Sequence, residues 1–335
     1  VRDAGFAQAD YADLSAGFAA HRLEALSHLI TLQIDLMPAV PTFTADLTAP
    51  LETRLARFPA QQIVIAAQQS VSYREADVAA AAENGALPLV LLHGIGSGAA
   101  SWVQQFETLG TTRRVLAWDA PGYGATTPVA AASPTATDYA EVLRGWLDAL
   151  GIERCVLVGH SLGAIIAGAF AAAQQARVAG LLLLSPAGGY GAASAELRES
   201  KRDQRLAMLA ELGPAGLAEK RSANMLSAHA DETSRAWVRW NMARIVPHGY
   251  AQATHLLANA DLAADLARFH GHVAIAVGAD DTITPPAACE PLAQIARTHL
   301  QVVPRAGHAG YIECADAYTA IIDTFCRASA GPRSH

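Results

Sequence analysis

The sequence predicts an α/β fold with a mostly parallel central sheet covered by helices on both faces. Three observations carry that expectation. Short apolar runs recur without polar interruption, as expected of strands buried on both sides rather than on one. Most of these runs are followed by a helix-competent stretch, the alternation that builds crossover units. The chain has 335 residues, 52% of them hydrophobic and 16% charged, which is enough length and apolar character to bury a large core and excludes a disordered chain.

Taken in order, residues 1–57 read as an N-terminal helical extension, with Leu26, Leu29, Ile30, Ile34 and Met37 in partly helical spacing before Pro38, Pro41 and Pro50. This helix is expected to pack on the main domain, with a dimer or membrane-surface contact as the alternative. Runs 63–66 and 71–73, separated by a polar turn, predict a hairpin that opens the core. Strands are then expected at 87–92, 114–118, 155–158 and 181–184, with helices at 102–109, 139–150 and 162–176 between them. The rhythm breaks between about 188 and 255, where charged helical stretches at 196–212 and 231–245 arrive with no strand between them. Residues 189–255 are therefore expected to form a helical cap inserted into a core made of 58–188 and 256–335. The core resumes with strands at 273–277 and 300–303 and helices at 289–296 and 316–327.

Composition excludes several functions. Lys plus Arg total 24 against 31 Asp plus Glu, a net charge of −7, so the field needed to hold phosphate backbones is missing and nucleic acid is not an expected partner. No membrane span is expected, because the most apolar stretch, 23–37, carries Glu24 and Asp35. The four cysteines, Cys155, Cys289, Cys314 and Cys326, form no CxxC pair, which points to a reducing, cytoplasmic setting. At the two ends of one helix, Cys314 and Cys326 would stand about 18 Å apart and could not bridge. No metal is expected, since there is no HExxH and no Cys/His cluster. Gly94, Gly96 and Gly98 lack the third glycine spacing and acidic partner of a dinucleotide site, so no cofactor is expected either.

The chemistry concentrates in one constellation. Gly159-His160-Ser161-Leu162-Gly163 follows the apolar run 155–158 and precedes a helical stretch. Alone it reads equally as an ordinary strand-to-helix turn. The strand before it and the helix after it favour a nucleophile held in a strained turn, where only glycine fits two positions to either side. A serine hydroxyl needs a base, and the base needs an acceptor that fixes its tautomer. Asp280 and Asp281 follow the run 273–277, and His308 follows the run 300–303. Each thus lies just past a strand's C-terminal end, where open α/β sheets bind ligands. Upstream, His93-Gly94-Ile95-Gly96 ends the strand at 87–92 and can turn the N–H of Ile95 toward the same cleft. With the N–H of Leu162 it would form an oxyanion hole. His160 reads as a hydrogen-bonded neighbour rather than a second base, and Asp119 as an anchor for the turn at Pro121-Gly122.

Together these motifs resemble the α/β-hydrolase superfamily: His93-Gly94, Trp118-Asp119-Ala120-Pro121-Gly122-Tyr123-Gly124, the serine elbow, the acid loop and the histidine loop. The resemblance covers about 60–188 and 256–329. It implies a catalytic triad of Ser161, Asp281 and His308, with Asp281 preferred over Asp280 because it fits the family's G-x-x-D-x-x-x-P pattern. It also implies a cap over the site, on which Trp237 and Trp240 would bind substrate, although their helical spacing equally suits packing. Gly249-Tyr250 and Asp261-Leu262 are similar to the cap end of carboxylesterase-like and enol-lactonase-like members. A serine at the elbow argues against members that attack with a carboxylate. Ala309 stands where carbon–carbon hydrolases usually carry Trp. The function expected is therefore hydrolysis of a small or medium carboxylic ester, lactones included, through an acyl-enzyme on Ser161. The alternatives are carbon–carbon hydrolysis of a vinylogous diketone and a triad-bearing receptor with little turnover.

Overall fold

A computed structural model describes residues 50–76 and 86–330. The expected extension at 1–57 lies outside them except for its last residues, which include helix α1 (Leu51–Leu55). An eight-stranded sheet forms the centre: β1 (Gln61–Ala66), β2 (Gln69–Ala76), β3 (Leu89–Leu92), β4 (Val115–Trp118), β5 (Cys155–His160), β6 (Val178–Leu184), β7 (Val273–Gly278) and β8 (Leu300–Val303). Their spatial order is β1-β2-β4-β3-β5-β6-β7-β8. The opening hairpin pairs antiparallel with itself and with β4, and every other neighbour is parallel.

The uninterrupted apolar runs have a direct structural meaning. Side chains alternate across a strand, and in β3 Val90 and Leu92 enter one core cluster while Leu89 and Leu91 enter the other. In β6 Leu181 and Leu183 face the first cluster, and Leu182 and Leu184 the second. Helices α3 (Ala136–Ala149) and α4 (Leu162–Ala173) cover the first face through Tyr139, Trp146, Ile165 and Phe170. Helices α2 (Val103–Leu109) and α11 (Ala315–Ser329) cover the second through Phe106, Tyr318 and Ile322. A capping box of Thr135 and Asp138 starts α3, satisfying N–H groups that the first helical turn leaves without partners.

Between β6 and β7 the chain forms only helices: α5 (Ala195–Arg221), α6 (Glu232–Met242), α7 (Pro247–Asn259) and α8 (Leu262–Arg268). Helix α5 is two arms joined at a kink, where Gly213 has φ 59° and ψ −178° and is followed by Pro214. Essentially only glycine occupies that region, and proline cannot continue the preceding helix. Helix α7 runs across residue 255, where the sequence places the end of the insertion. It touches the core backbone to backbone, for a Cβ on either Gly249 or Gly122 would overlap the other residue. The core continues through α9 (Pro286–Ile295) and α10 (Gly310–Glu313). Among the described residues no helix is long and apolar enough to cross a membrane. All four cysteines are unpaired.

Candidate active site

Ser161 stands between the last residue of β5 and the first of α4, with φ 53° and ψ −113°, a conformation that costs a non-glycine residue of order 1–3 kcal/mol. The surrounding contacts hold it there. Its N–H donates to the carbonyl of Leu184 at 3.0 Å, and its carbonyl accepts from the N–H groups of Ala164 and Ala187 at 3.1 and 3.2 Å. The flanking glycines are required by close approach: a Cβ on Gly159 would overlap the Gly163 and Ala164 backbone, and one on Gly163 would overlap the Leu92 and His93 carbonyls. The elbow is thus wedged against the end of β3.

The loop after β7 presents Asp281, which is almost fully buried. One carboxylate oxygen accepts from the N–H groups of Ile283 and Thr284 at 2.8 and 2.9 Å. The other lies 2.8 Å from Nδ1 of His308, on the loop after β8, and 2.9 Å from the Thr284 hydroxyl. Burial alone would raise the Asp281 pKa. The hydrogen bond and charge of His308, helped by the two backbone N–H groups, outweigh it and hold the carboxyl well below the usual carboxylate range. An ionised carboxylate against Nδ1 keeps the proton on that nitrogen and leaves Nε2 with its lone pair. Asp280 is elsewhere: its side chain is 44% exposed and lies 3.8 Å from Nε2 of His229.

Buried histidines frame this pair. His160 Nε2 donates to the His308 carbonyl at 2.8 Å; desolvation, then the proximity of His308, lower its pKa to about 3 and keep it neutral. It is a prop rather than a second base. His93 accepts the N–H of Ala120 on Nε2 at 3.0 Å and donates from Nδ1 to the Gly94 carbonyl at 2.8 Å. It ties the loop after β3 to the loop after β4. Asp119 accepts from the Ala99 N–H and the Ser72 hydroxyl, both at 2.9 Å, so it anchors more than the turn that follows it.

Ser161, Ile95, Leu162 and His308 line one cavity of about 220 Å³. Leu162 opens a helix, where backbone N–H groups lack intrahelical acceptors. The Ile95 peptide is fixed from behind by the Tyr123 hydroxyl, which donates to its carbonyl at 2.8 Å. Trp237 and Trp240 do not line this cavity. They stack on each other with ring centroids 4.5 Å apart, Trp237 is buried in the second core cluster, and Arg244 lies over Trp240 at 3.5 Å. Both residues are engaged in packing, the alternative that their spacing allows, and neither borders the cavity that holds Ser161. The sequence reading did not single out Thr284, Arg205 or Arg221, all of which line the cavity. For Thr284 a signal exists in its position three residues after Asp281.

Residues 89–321, well over half the chain, match the family model for the Alpha/beta hydrolase family. The chain belongs to the alpha/beta hydrolase family. Relatives sharpen the picture locally. A stretch of 114 residues is 40% identical to 2-hydroxy-6-oxononadienedioate/2-hydroxy-6-oxononatrienedioate hydrolase 2 of Pseudomonas putida, covering 33% of this chain and 39% of that one. Another of 105 residues is 36% identical to the 1-acylglycerol-3-phosphate O-acyltransferase ABHD5 of Sus scrofa, covering 30% of each. The chain thus spans about a third of the length of these curated relatives. In three dimensions this hydrolase-family chain superimposes on the enol-lactonase from Burkholderia xenovorans LB400 with a TM-score of 0.68 and 24% identity, over 80% of this chain and 100% of that one. That likeness establishes the shared fold.

Proposed function

We propose that the protein is a serine hydrolase of carboxylic esters, lactones included. The observation that carries this reading is the buried Asp281–His308 pair at 2.8 Å, whose histidine lines the same cavity as a serine on a strained elbow. Ser161 Oγ attacks the carbonyl carbon while His308 Nε2 takes its proton, and Asp281 stabilises the imidazolium through Nδ1–H. The N–H groups of Ile95 and Leu162 hold the developing oxyanion. Collapse of the tetrahedral intermediate expels the alcohol, which takes the proton from His308, and leaves an acyl group on Ser161. Water, activated by the same histidine, attacks that acyl group and releases the acid.

A fluorophosphonate probe is expected to label the wild type and not Ser161→Ala, and the variant is expected to lose several orders of magnitude in p-nitrophenyl ester turnover. Residual activity within about tenfold of wild type would remove Ser161 from the nucleophile role. An acyl-enzyme burst without steady turnover would favour a ligand receptor instead. Carbon–carbon hydrolysis is the second reading, favoured by the identity to the Pseudomonas putida hydrolase over a third of the chain. Spectroscopic loss of a vinylogous diketone in place of ester turnover would select it.

A further inference from the structure

The helical insertion brings two guanidinium groups to the cavity that holds Ser161. Arg205 lies on the first arm of α5 and Arg221 at the end of the second. Along a straight helix the two would stand about 24 Å apart. The kink at Gly213 folds the arms toward each other. Arg221 Nη1 is 3.8 Å from Sδ of Met208 on the opposite arm, a contact that a straight helix would stretch to about 20 Å. Both arginines therefore line one cavity.

Among the described residues nothing neutralises them there. Among the described residues no Asp or Glu lines the cavity, and neither arginine is paired with a carboxylate. The neighbouring Arg202 pairs with Asp203 at 2.7 Å, and Arg239 faces Glu219 at 3.8 Å, so acidic partners exist along the insertion but not at these two positions. The partner that Arg221 does have, a thioether, carries no charge. The remaining wall is largely apolar, with Leu162, Leu217, Met242, Ile245 and Leu257. Two half-buried cations beside such a wall carry a desolvation cost that a bound anion would offset. The planar guanidinium fork suits a carboxylate, which it can grip through two parallel hydrogen bonds.

We infer that Arg205 and Arg221 form a carboxylate-recognition subsite, and that the natural substrate is an ester or lactone carrying a second, free carboxylate away from the scissile carbonyl. This rests on the hydrolase reading above and names its substrate class. Apolar side chains of the cavity hold the hydrocarbon between the two ends, and the arginines fix its register over Ser161.

The test compares kcat/KM for two pairs of chromogenic esters, each pair differing only in charge. One is p-nitrophenyl hydrogen adipate against its methyl ester, with the anion on the acyl side. The other is 4-acetoxybenzoate against methyl 4-acetoxybenzoate, with the anion on the leaving group. Expected is a preference for the charged member of at least one pair by about tenfold to a hundredfold, the range for a hydrogen bond to a charged group. That ratio is expected to fall toward one in Arg205→Gln/Arg221→Gln and to be partly kept in Arg205→Lys/Arg221→Lys, where the charge remains without the fork. A preference below tenfold in both pairs overturns the inference, as does one that survives the double glutamine change. Thermal stabilisation by adipate supplies a readout without turnover: it is expected in wild type, and its absence there, or its persistence in the glutamine variant, counts equally against the subsite. If the neutral esters are hydrolysed without a charge preference, the subsite fails and the hydrolase reading stands. If no ester is hydrolysed and no fluorophosphonate label appears, the hydrolase reading fails, while adipate binding still decides the subsite.

Discussion

Changing Asp281 to Asn keeps the size of the side chain but can set an amide N–H against Nδ1 of His308, where an ionised oxygen now accepts a hydrogen bond at 2.8 Å. The proton would then move to Nε2, the nitrogen that must receive it from Ser161, and the rate is expected to fall by up to about 10⁴. Asp280→Asn alters an exposed carboxylate outside this network and is expected to stay within about twofold of wild type. Steady-state rates on p-nitrophenyl acetate check both, and the opposite ranking would move the acid role to the neighbouring residue. At this scale the sequence was informative where local geometry dictates residue type. Gly159 and Gly163 are there because their Cβ positions are occupied by backbone, so a serine between them after an apolar run can be recognised. Thr284 was not recognised. Its hydroxyl lies 2.9 Å from Asp281, 3.1 Å from His308 Nδ1 and 3.1 Å from the Ser185 carbonyl; only the first of these partners is near in sequence, and the other two come from separate loops that no short-range pattern connects to it.

Helices α5 and α6 show where periodicity stops being sufficient. Trp237 and Trp240, three residues apart, share one face of α6, but periodicity does not say whether that face meets the cavity or the core. Buried as it is, Trp237 is expected to act through packing: Trp237→Ala should lower unfolding free energy by about 3–5 kcal/mol and reduce turnover of short and long esters alike. Denaturant titration and an ester-length series together check this, and a selective loss on long esters at undiminished stability would return Trp237 to the pocket. In α5 the Gly213-Pro214 pair reads as a helix end at 212, yet the chain bends there and re-enters a helix. Helix α7 was hidden for a related reason. Pro247 follows the stretch expected to be helical at 231–245, yet proline is favoured in the first helical turn, where its missing N–H has no partner to lose, and Gly249 is demanded by the backbone of Gly122.

At the scale of the whole molecule, buried groups around the site contribute acid sensitivity. His160 and His93 are held below the ordinary histidine pKa of 6.5, first of all by burial, so the unfolded chain binds their protons first. Their contribution to stability is complete above pH 6.5 and is lost as pH falls toward the folded values, about 3 for His160. Asp281 acts in the same direction at lower pH: its contribution is present above the ordinary carboxylate value of 3.8 and disappears below it. The melting temperature is therefore expected to decline from about pH 6.5 downward, and His160→Gln, which can keep an N–H donor for the His308 carbonyl, should flatten the upper part of that decline. Melting curves between pH 8 and pH 4 check it, and parallel slopes for the two proteins would remove His160 from the account. The sheet itself was the most legible feature, since runs such as Leu181–Leu184 feed two core clusters in alternation and so admit no polar residue. The two glycines that meet where α7 touches the core carry a lesson for protein engineering. A chimera that borrows another relative's helical insertion, cut at residue 255, would divide α7 and could place a foreign side chain opposite Gly122. The natural seam for such a graft lies after Asn259, so that the helix carrying Gly249 travels whole and Gly122 is retained as the surface that receives it.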